Sequence, residues 1–394
     1  MTALERRSVA LLSAMYALRM LGLFLIFPVF ALYASSLSGY SIELMGWALG
    51  GAYGVAQALL QIPFGIASDR FGRKPLIAFG LAIFALGSLF AAMSTSISGV
   101  ILGRALQGAG AISAPIMALA ADLTRDAQRT KAMAVIGITI GASFVLSLIA
   151  GPPLGAVIGV TGIFWFTCAG ASIAIVLLLV AVPNPGRDVV APMRGLAPFV
   201  RMLRDPQLLR LNVGIFVVHL TITSMFLVLP RILVDHLAIA PGAHWKFYLP
   251  VMLLGIVLMA PALGHSNRRG RLRPVFVGAI AVLCVAEFLL AANYRSPAWL
   301  VVGLIVFFAG FNILEATLPS LVSRLAPPAA KGAAIGVYST SQFLGAAVGG
   351  ALGAFVYARA GIAAVFLFSG AMTAAWFALA STAPSFKFDA SAKE

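Results

Sequence analysis

Charge is what this sequence has least of. Only 10% of its 394 residues are charged and 61% are hydrophobic, with a mean hydropathy of +1.02, whereas a soluble globular chain carries roughly 25% charged residues. That balance excludes a water-soluble fold and places the chain in a lipid bilayer. Cysteine is nearly missing as well. Cys168 and Cys284 lie in apolar runs in opposite halves, which leaves neither a disulfide framework nor a Cys-rich metal ligand set. The four histidines are scattered, so no metal site is expected. No HExxH, GxSxG or P-loop pattern occurs, which argues against an embedded enzyme and against ATP-driven work. The expectation is a protein that is not an enzyme and holds no cofactor. Strand-like alternation over about ten residues, the mark of an outer-membrane barrel, is absent too.

What is present is a succession of apolar runs of about 20 residues, the length that crosses roughly 30 Å of hydrocarbon at 1.5 Å per helical residue. Length and breakers place spans at 9–34, 43–67, 75–94, 97–122, 132–158, 162–183, 209–235, 246–265, 274–293, 297–322, 332–357 and 361–382. The basic start "MTALERR" precedes an apolar run too long for a signal peptide and without a clear cleavage site, so it reads as a retained first span. "NPGRDVVAPMRGLAPFVRMLRDP", rich in breakers and charge, reads as a linker. The predicted fold is an all-α integral membrane protein of twelve transmembrane helices. They form two pseudo-symmetric six-helix bundles, 1–183 and 209–382, joined by a cytoplasmic linker, 184–208, and followed by a cytoplasmic tail, 383–394.

The net charge of +15 would point to nucleic acid in a soluble protein, but its distribution gives it another meaning. Of 27 Lys and Arg residues, 21 fall in the N-terminus, the even-numbered connections and the tail, while only Arg231, Lys246, Arg295 and Arg359 lie on the opposite side. By the positive-inside rule both termini are cytoplasmic, in a multi-pass protein of the inner membrane. No nucleic-acid partner is required.

The two halves resemble each other in register. "FLIFP" at 24–28 returns as "FLVLP" at 226–230, "GIASDRFGRKP" at 65–75 as the degraded "GHSNRRGRLRP" at 264–274, and "KAMAVIG" at 131–137 as "KGAAIGV" at 331–337, with offsets between 199 and 202. Three matches in one register argue for a duplicated six-helix unit, the architecture of many secondary transporters.

One stretch, "GIASDRFGRKPLIAFG" at 65–80, gathers four of the scarce charges between glycines. A loop that merely orients the chain accounts for Arg70 and Lys74. It does not account for Asp69, because acids contribute little to orientation. The pattern G-x-x-x-D-R-x-G-R-[KR], matched by Gly65, Asp69, Arg70, Gly72, Arg73 and Lys74, resembles the loop signature of the major facilitator superfamily (MFS). Arg104, Gln107, Gly108 and Gly110 match that family's R-x-x-Q-G-x-G element on span four. Gly151, Pro152 and Gly155 match the core of the Gly-Pro packing element found on span five of its proton-driven exporters, with Ala156 where a second glycine is usual. "LRMLGLF", "RTKAMA", "HWK" and "GVYSTSQFLG" are similar to the YajR-type subgroup of proton-driven efflux transporters.

The resemblance implies a monomeric secondary active transporter working by alternating access, with spans one, four, seven and ten lining a central cavity. Its expected partners are a small molecule, protons and the lipid bilayer. Export of an amphipathic or hydrophobic molecule in exchange for protons, as in multidrug antiporters, is the first reading, and proton-coupled import the second. A receptor would need a signalling domain, which is not evident. The resemblance also implies that Asp69 caps the cytoplasmic end of span eleven while Arg73 pairs with Asp122 at the end of span four, a latch closed when the cytoplasmic gate is shut. Longer members carry a C-terminal cytosolic domain, and this sequence, ending at Glu394, is expected to do without that regulation.

A charge inside a span costs about 2.5–3.5 kcal/mol at the helix centre on insertion scales, so each needs a reason. Arg19, near mid-depth of span one, either faces a substrate or carboxylate in the cavity or pairs structurally with a neighbouring helix. Arg104, close enough to the outer side to snorkel, serves coupling with Gln107 or supports helix packing. Glu315 on span ten, one turn from Asn312, is the candidate proton carrier; its alternative is a fixed structural pair. Glu287, near the outer end of span nine with Arg295 in the next loop, reads as interfacial or structural. His219 either touches substrate and protons or packs. Tyr16, Phe30, Gln57, Asn212, Phe226, Phe311, Tyr338 and Gln342 are candidates for an amphipathic pocket wall. The stripes Gly46/Gly50/Gly54 on span two and Gly345/Gly349/Gly353 on span eleven offer small faces for close helix contact. By resemblance those faces meet across the halves and let them rock.

Overall fold

A computed structural model describes residues 1–184, 197–266, 272–327 and 330–382. In a bilayer every backbone polar group must be bonded within the protein, which leaves helices as the open solution. The described residues form no β-strand, only a single bridge between Ser38 and Ser96. Among the described residues nine helices are long and apolar enough to cross a membrane. Two of them, Asp126–Ala181 and Lys331–Ser381, pass through a non-helical glycine, Gly159 or Gly361, at φ 68° and 78°. Each therefore holds two spans. Span two is assembled from Ile42–Gly46, a π-helical turn at Trp47–Gly51 and Ala52–Phe71. Counted this way the helices are consistent with twelve spans.

Span one is Ala3–Phe24 continued by Phe27–Tyr33, with Pro28 in the first turn of the second piece. Span three is Arg73–Met93. Span four is Ile97–Ala109 plus Ser113–Asp122, broken at Gly110. Span seven is Pro206–Asp235, capped by Asp205, whose carboxylate accepts from Gln207 and Leu208 N–H. Spans eight, nine and ten are Trp245–Ser266, Leu272–Asn293 and Pro297–Leu325.

The chain divides into two compact units, Met1–Leu196 and Ala197–Glu394. Within the segment read as linker, Ala197–Arg204 is a helix. Phe199 and Met202, three residues apart, are buried while Arg201 and Arg204 are exposed, which is the amphipathic spacing of a surface helix. The rest of that segment, 185–196, lies outside the described residues, as do the tail 383–394 and the centre of the degraded repeat at 267–271.

Equivalent contacts recur in the two units. A Cβ on Gly151 would sit 2.8 Å from the Leu25 carbonyl, and one on Gly353 would sit 3.0 Å from Leu227 Cδ1. Both members of the second pair lie 202 positions beyond those of the first. Lys74 Nζ donates to the Val182 carbonyl at 2.8 Å, and an Arg273 guanidinium nitrogen donates to the Ser381 carbonyl at 2.9 Å. Those partners are 199 positions apart. Spans one and five of the first unit thus pack as spans seven and eleven of the second, and a cation opening spans three and nine closes over the last turn of spans six and twelve.

That packing corrects one expectation. Gly345, Gly349 and Gly353 do not present a free smooth face: a Cβ on Gly345 would collide with the Phe216 carbonyl and one on Gly349 with the Leu220 carbonyl. Ser224 Oγ donates to the Gly349 carbonyl at 3.1 Å. The stripe lets span eleven lie backbone to backbone on span seven of its own unit. Outward surfaces are apolar, with Leu86, Ile173, Val176 and Val180 exposed, as lipid-facing helices require.

Candidate functional site

Three spans of the second unit converge on Glu315. Its Oε1 lies 3.3 Å from His219 Nδ1 on span seven, within ion-pair reach though not aligned as a hydrogen bond. The other ring nitrogen, Nε2, is 2.8 Å from the Gln342 amide nitrogen on span eleven. With that amide donating, Nε2 accepts and the neutral ring carries its proton on Nδ1, the side facing Glu315. Glu315 keeps 31% of its side-chain surface exposed and His219 keeps 13%. Sequence reading nominated all three residues without joining them. Asn312, one turn before Glu315, has a buried amide nitrogen with no partner. Tyr338 is buried.

The first unit gathers buried cations. Arg104 has no exposed surface; its Nε donates to the Ala48 carbonyl at 3.2 Å and a terminal nitrogen to the Leu49 carbonyl at 3.1 Å. Both acceptors belong to the π-helical turn of span two, where the irregular backbone makes carbonyls available. Its third donor reaches Gln107 Oε1 at 2.6 Å, and Gln107 Nε2 donates to Ser88 Oγ at 2.7 Å. The guanidinium lies 4.7 Å above the Tyr53 ring. Arg104 is thus a staple between spans two, three and four, not a snorkelling residue. Gly108 permits it, since a Cβ there would collide with the Tyr53 carbonyl.

Arg19 is likewise 1% exposed. It donates to Gln57 Oε1 and, at 3.5 Å, to Ser113 Oγ, and Gln57 passes the chain to Gln61 Oε1 at 2.9 Å. Its guanidinium lies 5.5 Å from the Phe84 ring centroid. Among the described residues no carboxylate pairs with it.

At the end of the same unit Arg73 bonds Asp69, Asp122 and Ser68: Nε to Asp122 Oδ2 is 3.1 Å and a terminal nitrogen to Ser68 Oγ is 2.6 Å. Gly72 takes φ 95°, which favours glycine. Gly65 is different. It is helical, and a Cβ there would meet Ala114 at an ordinary 3.6 Å, so its place in the turn is not a backbone requirement. Arg70 lies over the Phe71 ring at 5.4 Å.

A family model for the Major Facilitator Superfamily matches residues 12–350 and 253–387. The inner membrane transport protein YajR of Escherichia coli (strain K12) is 45% identical over 386 residues, covering 97% of this chain and 84% of that protein. The chain belongs to the Major Facilitator Superfamily. It is a multi-pass membrane transporter of that family, whose members are not enzymes. Multidrug resistance protein MdtH of Yersinia enterocolitica is 29% identical over 346 residues, covering 84% of this chain and 81% of the relative. The inward-facing, occupied crystal structure of a bacterial homologue of the human lysosomal transporter Spinster superposes with a TM-score of 0.78 at 13% identity, covering 95% and 96% of the two chains. At that identity the likeness speaks for the fold.

Most of the residues nominated for a pocket wall are buried. Phe30 and Phe226 have no accessible surface and Gln57 is consumed by Arg19; Phe226 packs edge-on against Tyr248. Phe311 stacks on Phe307 at 6.0 Å. Tyr16 and Asn212 are also buried. Gly151 and Gly155 pack on span one, against Leu25 and Val29, in the element that carries Pro152. Glu287 is wholly buried, and Arg295 bonds Tyr294 instead, so the interfacial reading gives way to a core position.

Sequence reading missed one polar tie. Glu5 accepts from Arg125 Nε at 2.9 Å, from a terminal Arg125 nitrogen at 3.2 Å and from the Arg125 backbone N–H at 3.1 Å. It also closes a capping box with Thr2. The signal was available as T-x-x-E before an apolar run.

Proposed function

We propose that this transporter exports a small amphipathic or hydrophobic molecule in exchange for protons, by alternating access, as a monomer in the inner membrane with both termini in the cytoplasm. The observation that carries the reading is the Glu315–His219–Gln342 cluster. A carboxylate facing an arginine would stay charged, whereas a carboxylate facing a neutral imidazole changes the charge of the pair when one proton arrives. The two groups then titrate as a unit, and a change in their separation during the cycle alters how tightly that proton is held. Protons are the coupling ion and no cofactor takes part.

The apolar setting, with few hydrogen-bonding groups on the spans, favours an amphipathic substrate over a sugar. The name of the MdtH relative, multidrug resistance protein, supports export. Arg73 with Asp69 and Asp122 is the cytoplasmic lock in this reading: it holds the ends of spans two, three and four in the arrangement of the closed gate. Arg104, Gln107 and Arg19 keep the first unit rigid.

Vesicles carrying the purified protein under an imposed proton gradient test the direction. Movement of an amphipathic dye against the proton flow supports the exporter. Accumulation with the proton flow would replace it with the importer.

A further inference from the structure

Glu287 on span nine takes no part in the reading above, yet among the described residues it stands as an isolated acid. It has no accessible surface, neither carboxyl oxygen has a hydrogen-bond partner, and among the described residues no cation lies within ion-pair distance.

Span twelve, 361–382, contains no titratable residue, and it comes close: a Cβ on Gly370 would sit 3.3 Å from Glu287 Cβ. On span ten, Gly303 abuts Leu290 and Gly310 abuts Leu283, so the stretch level with Glu287 is "GLIVFFAG", which is also free of titratable groups. Glu315 and Arg324 lie further along that helix. Span eight carries Lys246, Tyr248 and His265; Lys246 lies by the Trp245 ring and Tyr248 packs on Phe226 and His244. Span eleven turns its face to span seven. On span nine itself Arg273 bonds Ser381, and Cys284, one turn before Glu287, points its thiol at the Gly370 carbonyl at 3.8 Å.

An ionised carboxylate in that sheath has lost its water and gained no partner. Such a group neutralises by binding a proton. We propose that Glu287 is a second proton-binding site of this transporter, separate from the Glu315–His219 pair: a carboxylic acid held neutral between spans nine and twelve. Burial and the lack of partners carry this, independently of the export reading. Its neutrality secures the contact, because charge at this depth would drive span nine off the apolar face of span twelve.

The test is infrared spectroscopy of the purified protein in lipid at about pH 7, where a free glutamate is ionised. Wild type minus Glu287→Gln is expected to show one protonated-carboxyl carbonyl band that shifts in D2O and persists in Glu315→Gln. A difference spectrum showing carboxylate bands instead would overturn the proposal. Glu287→Met supplies a second measurement, because replacing an unpartnered neutral acid by an apolar group of similar size leaves nothing unpaired. Its melting temperature is expected to equal or exceed that of wild type, with the margin widening from about pH 5 to about pH 8, since unfolding then releases a proton that the folded chain retains. A Glu287→Met protein melting well below wild type throughout that range would show that the carboxyl is paired, and the proposal would fail. Loss of transport in Glu315→Gln leaves each of these outcomes unmoved.

Discussion

The Nε of Arg73 lies 3.1 Å from Oδ2 of Asp122, and the same guanidinium also binds Asp69. One cation at the start of span three thereby ties the end of span two to the end of span four. Asp122→Ala removes one charge-assisted hydrogen bond, a loss of about 1.5–3 kcal/mol where such bonds are part-buried, which is roughly tenfold or more in an open-to-closed ratio. Cysteine labelling from the cytoplasmic side is expected to rise accordingly. Arg73→Lys should behave almost as badly, because an ammonium lacks the planar fork. Labelling unchanged in both variants would remove the lock.

The glycine stripe makes a packing prediction. Gly349→Ala places a methyl against the Leu220 backbone, and overpacking of this kind costs about 1–3 kcal/mol. Gly278→Ala is the control: nothing lies within 4 Å of its added Cβ, and it is expected to be neutral or slightly stabilising. Thermal denaturation in detergent separates the two. Equal melting temperatures would mean that span eleven does not sit on span seven as described.

Arg104→Gln should cost stability even without a lost ion pair. It strands the Ala48 and Leu49 carbonyls in the π-helical turn, and a buried unsatisfied acceptor costs about 1–3 kcal/mol. The melting temperature is expected to fall, with Arg104→Lys recovering part of the loss.

Much of this was legible in the sequence, and the misses share a cause. The all-helical membrane fold, the duplicated register and the Arg73–Asp122 pairing follow from apolar run length, internal repeats and a loop signature, all of which are local or family-wide patterns. Which side of a helix a residue faces is not local. Gly345, Gly349 and Gly353 looked like a free sliding face because their spacing says only that one side is small, while the partner is decided by the Phe216 and Leu220 backbone. Phe30 and Phe226 were nominated by type and span, and neither has accessible surface. Glu315, His219 and Gln342 were each visible as polar residues in apolar runs, but 96 and 123 positions of chain separate His219 from its two partners, and only the fold joins them. Glu5 was readable and overlooked.

Glu5→Gln weakens a tie between the start of span one and the loop before span five. The Arg125 side chain is already 65% exposed, so its release is expected to show as faster tryptic cleavage after Arg125. Cleavage at the wild-type rate would mean that the pair is incidental.

The central claim is that Glu315 carries the coupling proton in partnership with His219. Its most direct measurement is gradient-driven transport of an amphipathic dye in vesicles by wild type and Glu315→Gln, reconstituted at equal density. Dye binding should survive in the variant while the response to the imposed proton gradient is lost. Full gradient-driven transport by Glu315→Gln would contradict the account.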